Sequence, residues 1–288
     1  MLKLPADFTA LNLFTFKYIQ ADIDLLYGSL YFMTEAVAQT PFWLDKKPVL
    51  FPPSNLALDE PNGLLAVGGD LSPEWLLQAY SNGIFPWFNP GEPILWWTPT
   101  PRSVLFIDQL KIKRSLRKTI QQLQQSHRLT VTLDTDFLAV MKSCAEVPRT
   151  DQEGTWITEE MLKAYNSLHQ TGNAHSVEVW QDGELVGGLY GVAIGKMFFG
   201  ESMFSKVTDS SKIALVALAM QLKEWEFELI DTQIETPHLN SLGASLVTRQ
   251  QFEALIAEQT HRPFKAQKWQ LSINWHTAVQ KHIQVQAE

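Results

Sequence analysis

Along the C-terminal two-thirds of the chain, apolar positions recur with two periods. Alternation over Ser103–Ile107 and Leu129–Leu133 predicts two strands, flanking a helix within residues 111–128. Asp134–Cys144 and Thr158–Gln170 read as helices. The second has Thr158 as its cap, acids in its first turn and Gly172 just past its end. Ser176–Gln181 and Leu185–Val192 alternate on either side of Asp182-Gly183, the chemistry of a tight hairpin turn. Lys196–Glu201 adds a strand. Ser211–Trp225 is apolar nearly all round, so a buried helix is expected there. Leu229–Ile234 follows as a short strand and Arg249–Glu258 as a last helix. A meander of strands, a central buried helix and one more strand make the expected class α+β with a mixed sheet.

Upstream the pattern is less regular. Ser72-Pro73 opens a helix, because Ser caps well and Pro suits the first helical position, and Gly83 closes it. The run from Phe85 through Trp97 to Pro101 reads as a loop rather than a regular element, with rings that need a surface to pack on. Residues 48–101 are therefore expected to form a small N-terminal domain beside a larger one at 102–288. Residues 1–47 carry aromatics without a period and are expected to be an extension, for which a true start at Met33 rather than Met1 is one explanation. Lys17, Asp22 and Asp24 interrupt the apolar N-terminus well short of the ~20 residues of a membrane span, and no leader pattern is present.

Composition supports a folded chain. Of 288 residues, 45% are hydrophobic and 19% charged, enough for a packed core. The single cysteine, Cys144, forms no intrachain disulfide and suits a reducing compartment, so a cytoplasmic protein is expected. The net charge of −8 argues against broad nucleic-acid binding. Its distribution changes that picture. Residues 111–128 carry Lys111, Lys113, Arg114, Arg117, Lys118 and Arg128 and no acid, so one helix could hold a polyanion that the rest of the surface rejects.

The seven histidines are scattered, and no His, Cys, Asp or Glu cluster has ligand spacing, so no metal is expected. No nucleophile elbow and no phosphate loop is present. Glu201, after the apolar Met197-Phe198-Phe199, is expected at the end of a core strand. It reads either as a working carboxylate or as an acid facing water or capping the next helix. Alternation puts Asp231 and Gln233 on one face of their strand. That face either orients a reacting group or is the solvent side of an edge strand. Trp87, Trp96, Trp97 and Trp156 serve packing or stack on a base.

Several blocks together resemble one family. They are Glu60-Pro61-Asn62-Gly63-Leu64-Leu65-Ala66, Gly68-Gly69-Asp70-Leu71-Ser72-Pro73, Gly83-Ile84-Phe85-Pro86-Trp87-Phe88 and Trp96-Trp97. Gly154-Thr155-Trp156-Ile157-Thr158, Ala174 through Trp180, Gly200 through Ser205, and Ile230-Asp231-Thr232-Gln233 continue the series. From about Phe51 to Gln251, in unbroken order, they resemble the leucyl/phenylalanyl-tRNA–protein transferases. The resemblance implies a C-terminal domain similar in fold to the N-acetyltransferase superfamily, with a small N-terminal domain beside it. It implies transfer of Leu, Phe or, less well, Met from Leu-tRNA, Phe-tRNA or Met-tRNA to proteins beginning with Arg or Lys, marking them for N-degron degradation. No cofactor and no metal is implied.

Residue by residue, the resemblance assigns Arg114, Arg117 and Lys118 to the acceptor end of the tRNA, and Trp87 and Trp156 to the terminal adenosine. Leu189, Phe198, Leu215, Leu218 and Ile230 match the pocket for the aminoacyl side chain. Many relatives have Met at Leu189 and Phe at Leu218, and an acid at Thr100. Asp231, Gln233 and Glu201 are the expected catalytic set. Asp231 and Gln233 hold amine and ester in line, Asp231 fixes Gln233, and Glu201 meets the acceptor's cationic end or the donor amine. Two other readings compete. An acetyl-coenzyme-A N-acetyltransferase needs a pyrophosphate loop that Ser205 to Ser211 does not contain. A non-enzymatic RNA-binding module accounts for the basic helix and tryptophans but not for Glu201, Asp231 and Gln233 together.

Overall fold

The structure, a computed structural model, describes residues 40–126, 128–147, 155–264 and 267–286. The expected extension up to residue 39, with Met33, lies outside them, as does Gly154. Phe42–Leu44 (β1) pairs parallel with Leu64–Gly68 (β2), so the small layer begins before residue 48. Pro73–Ser81 (α1) follows, with Ser72 at its N-cap and Pro73 in its first turn. Gly83 closes it at φ +70°, where a Cβ would collide with Ile256 and Phe252.

Phe85–Pro86 (β3) and Leu95–Trp97 (β4) complete a four-stranded sheet of order β1-β2-β4-β3. This corrects the expectation of a loop from Phe85 to Pro101. The strands are two and three residues long and fully buried, so no alternation marks them in the sequence. The rings also have partners. Trp96 packs edge-on to Phe51, with centroids 4.9 Å apart, and stacks on Trp75 at 6.0 Å. Its Nε1 donates to the Gly68 carbonyl at 2.8 Å, and Trp97 Nε1 donates to the Trp87 carbonyl at 2.7 Å. Thr100, where many relatives carry an acid, is clamped through its backbone by the Asn62 side chain at 2.9 and 3.2 Å.

The larger part runs Arg102–Phe106 (β5), Arg114–Ser126 (α2), Leu129–Leu133 (β6), Phe137–Ala145 (α3), Glu159–Gln170 (α4), Ala174–Gln181 (β7) and Glu184–Ile194 (β8). It continues as Met197–Ser205 (β9), Ser210–Glu224 (α5), Leu229–Gln233 (β10), Pro237–Ser241 (α6), Ser245–Val247 (β11), Arg249–Gln259 (α7) and Trp275–Val285 (α8). The sheet order is β11-β5-β10-β9-β8-β7-β6. Every neighbouring pair is antiparallel except β9 and β10, which run parallel and are joined through α5. The fold is thus α+β with a mixed sheet, as expected. Asp182 and Gly183 both have positive φ, at 53° and 86°, which makes the turn of the β7–β8 hairpin.

Two expected elements differ most in their limits. The helix placed at Asp134–Cys144 starts at Phe137, capped by Asp136, which accepts from Ala139 N–H at 3.0 Å. Asp134 sits before it at φ 50°, buried. It accepts from the N–H groups of Ser176 and Trp269 at 2.9 and 2.6 Å and bonds His175 Nδ1 at 2.8 Å. A carboxylate with that many partners holds the turn and leaves the helix to the next cap. The strand expected at Lys196–Glu201 runs on as β9 to Ser205.

The large sheet buries both faces. Leu189, Ala193 and Phe198 point to α5 and its partner α8, whereas Tyr190, Val192 and Phe199 point to α3, α4 and the small layer. That second core is continuous: Trp75, Tyr80, Trp96 and Trp97 belong to the same cluster as Met141, Tyr165 and Phe199. The small N-terminal layer therefore shares its core with the large domain.

Candidate active site

β10 is registered on β9 only at Ile230 opposite Phe198 and Asp231 opposite Phe199. Beyond those pairs the two parallel strands separate, while β9 stays paired to β8 as far as Ser205. The part of β9 that β10 leaves, from Gly200 to Ser205, and Thr232, Gln233 and Ile234 line a cavity of about 710 Å³ in the gap. Separation at the carboxyl ends of parallel strands exposes side chains and backbone groups of both strands to one space.

A bulge between Asp231 and Gln233, with Gln233 at φ +60°, breaks the alternation that was expected to place both side chains on one face. Asp231 is 0% exposed and turns away from the cavity. Its Oδ1 accepts from Arg102 Nε at 2.9 Å and its Oδ2 from Arg102 Nη2 at 2.7 Å. Arg102 is itself 1% exposed, with its guanidinium 4.9 Å from the Phe85 ring centroid and 4.5 Å from that of Phe252. Asp231 Oδ1 also accepts the Gln233 backbone N–H at 2.9 Å, which ties down the left-handed residue. Asp231 thus shapes the chain at Gln233, and Gln233 reaches the cavity.

Gln233 Nε2 donates to Glu201 Oε1 at 2.7 Å, and Tyr165 OH donates to Glu201 Oε2 at 3.0 Å. The Tyr80 hydroxyl makes a short contact with that of Tyr165, so α1, α4, β9 and β10 meet in one polar chain. Glu201 is half-buried, with its open side on the cavity. Burial, set against hydrogen bonds from Tyr80, Tyr165 and Gln233, pushes its carboxyl up to about 7, and the Asp231 charge adds to the rise. Burial, then the charge of Glu201, holds Tyr80 and Tyr165 well above the usual phenol range.

The rest of the lining is largely apolar. Leu189, Phe198, Leu215 and Ile230 line the cavity, as do Met203, Phe204 and Leu239, and Trp87 and Trp156 border the same space. Leu218, one turn beyond Leu215 on α5, is wholly buried and lies outside the lining. Arg114, Arg117 and Lys118 also lie outside it, on α2. That helix turns Leu116 and Ile120 inward on the side of the edge strand β6. Arg114 and Lys118 are exposed, and Arg117 Nε donates to the Ile112 carbonyl at 2.7 Å.

Sequence reasoning missed Arg102, Tyr80 and Tyr165. Arg102 carried a signal, since a lone cation opening a buried strand needs a partner. The tyrosines carried none, being apolar-face residues of ordinary helices. Among the described residues no group of three or more His, Cys, Asp or Glu is placed to hold a metal, and no helix is long and apolar enough to cross a membrane.

Comparison with known proteins bears on the same residues. Residues 104–257 match the family model described as leucyl/phenylalanyl-tRNA protein transferase, and residues 69–100 match the model of its N-terminal domain. A leucyl/phenylalanyl-tRNA–protein transferase of Hydrogenovibrio crunogenus is 64% identical over 243 residues, covering 84% of this chain and 93% of its own. One of Nitrosomonas eutropha is 58% identical over 225 residues, covering 78% of this chain and 94% of its own. Among solved structures, L-PGS from Bacillus licheniformis aligns over 70% of this chain and 69% of its own, at 11% identity and a TM-score of 0.35.

Proposed function

The chain belongs to the leucyl/phenylalanyl-tRNA–protein transferase family, and on that premise we propose that it moves Leu, Phe and, less well, Met from aminoacyl-tRNA to the N-terminus of proteins beginning with Arg or Lys. It is an aminoacyltransferase. Its products would enter an N-degron degradation pathway in the cytoplasm. The observation that carries the reading is one cavity with two kinds of wall. Leu189, Phe198, Leu215 and Ile230 supply apolar surface for a side chain unbranched at Cβ, and Glu201 with Gln233 supplies hydrogen-bonding atoms beside it.

The donor is an activated ester, so no covalent enzyme intermediate is needed. The acceptor α-amine attacks the ester carbonyl, the amide bond forms, and the ribose oxygen leaves with a proton. What this chain supplies is alignment, which can lower the barrier by several kcal/mol. Gln233 Nε2 is committed to Glu201, which leaves Gln233 Oε1 to accept an N–H from the attacking amine. Asp231 acts one step back, by fixing the backbone of Gln233, and Arg102 neutralises it there. Trp87 and Trp156 offer ring faces for the terminal adenine. Arg114 and Lys118, exposed on α2, suit phosphates of the acceptor stem. An apolar pocket separates side chains that differ by a methylene or two by only ~1–3 kcal/mol, so leniency among Leu, Phe and Met is expected.

The reading predicts that labelled Leu-tRNA transfers its label to a peptide beginning with Arg, and that a peptide beginning with Asp stays unlabelled. Label passing from acetyl-coenzyme A instead would make the chain an N-acetyltransferase. Binding of tRNA without any transfer would leave only the RNA-binding reading standing.

A further inference from the structure

A neutral amide scarcely accepts a proton, and the nitrogen of Gln233 is already bound to Glu201. The amine proton therefore needs another destination, and the carboxylate that Gln233 touches lies on the same cavity wall. Gln233 Nε2 donates to one oxygen of that carboxylate at 2.7 Å and Tyr165 OH to the other at 3.0 Å, and Tyr80 is a third donor, so of its roughly four lone-pair sites one stays open to an N–H from the cavity side. Building on the transfer reaction proposed above, we propose that Glu201 is the base of the reaction and that Tyr165, backed by Tyr80 of the small N-terminal layer, is its positioning residue.

The steps balance. The acceptor enters as an ammonium, and Glu201 takes one proton to become a carboxylic acid. The free amine attacks the ester carbonyl, the N–C bond forms, and the C–O bond to the ribose breaks. The second nitrogen proton leaves with the ribose oxygen, and Glu201 returns its proton to water.

The groups facing Glu201 are few. Tyr80 comes from α1, Tyr165 from α4, Gln233 from β10, and the charge of Asp231, paired with Arg102 of β5, lies behind β10. His238 of α6 borders the same cavity. Glu201 sits at about 7, neutral below and ionised above, so a base role requires the rate to rise with pH through that region.

The test is the pH profile of transfer from Leu-tRNA to an Arg-initiated peptide, at saturating concentrations, with tRNA binding measured alongside. Glu201→Gln, which preserves shape, should lower kcat by about 100-fold or more and remove the rise near neutral pH, with tRNA affinity within about twofold of wild type, on the scale of a surface change. Tyr165→Phe removes one donor from the carboxylate and leaves the ionisation of the acceptor amine untouched. It should move the rise to higher pH, whereas a purely structural loss would lower the rate at every pH without moving the midpoint. A wild-type profile in Glu201→Gln, or an unmoved midpoint in Tyr165→Phe, overturns the assignment while leaving the transferase reading intact. No transfer by the wild-type chain overturns both.

Discussion

Asp231 and Arg102 form an ion pair whose side chains are 0% and 1% exposed, so neither charge has water to fall back on. Removing one partner strands the other. Asp231→Ala should cost about 3–5 kcal/mol of stability, read from urea unfolding, because the guanidinium remains buried between Phe85 and Phe252. The same variant should reduce turnover far more than tRNA affinity, since Gln233 loses its backbone anchor. Replacing both partners with apolar residues, Arg102→Met with Asp231→Leu, should recover most of the stability and none of the turnover. Equal losses in turnover and tRNA affinity for Asp231→Ala would count against the positioning role. At this scale the sequence identified Asp231, Gln233 and Glu201 as residues of interest. It did not show that Asp231 lies behind the cavity wall, because its partner Arg102 is distant in sequence and the bulge that separates Asp231 from Gln233 leaves no mark on an alternating pattern.

Among the elements, those with a long period or distinctive caps were legible: α4 with Thr158 accepting from Met161 N–H, the β7–β8 hairpin at Asp182-Gly183, and the buried α5. The short ones were not. β4 pairs with β2 and β3, and its rings pack on Phe51 and Trp75 and donate to the Gly68 and Trp87 carbonyls, mostly residues outside the strand's own neighbourhood. α2 was read from its charge, and its two faces divide as an amphipathic helix should, with Leu116 and Ile120 inside and Arg114 and Lys118 outside. Arg114→Ala should weaken tRNA binding and reduce the slope of log affinity against log salt by about 1, with kcat nearly unchanged. A kcat that falls as far as the affinity would place Arg114 in the chemistry rather than on the tRNA.

For the molecule as a whole, the shared core decides how the parts depend on each other. Trp75, Tyr80 and Trp97 lie in one cluster with Met141, Tyr165 and Phe199, and Phe85 and Phe252 enclose Arg102. A chain beginning at Arg102 would expose that face, so it should fail to give a soluble cooperative fold. Unfolding of the full chain should show coincident transitions by tryptophan fluorescence and far-UV circular dichroism. A folded, cooperative fragment from residue 102 would show the two parts to be independent. The sequence by itself determined the α+β class, the main helices and strands, the family resemblance and the candidate residues for chemistry, because periodicity, caps and motif order are local properties of the chain. Only the tertiary structure decided where β9 and β10 part, that Asp231 is spent on Arg102, and that Tyr80 reaches Glu201 through Tyr165. Those are contacts between residues far apart in sequence, fixed by which faces the two cores bury together.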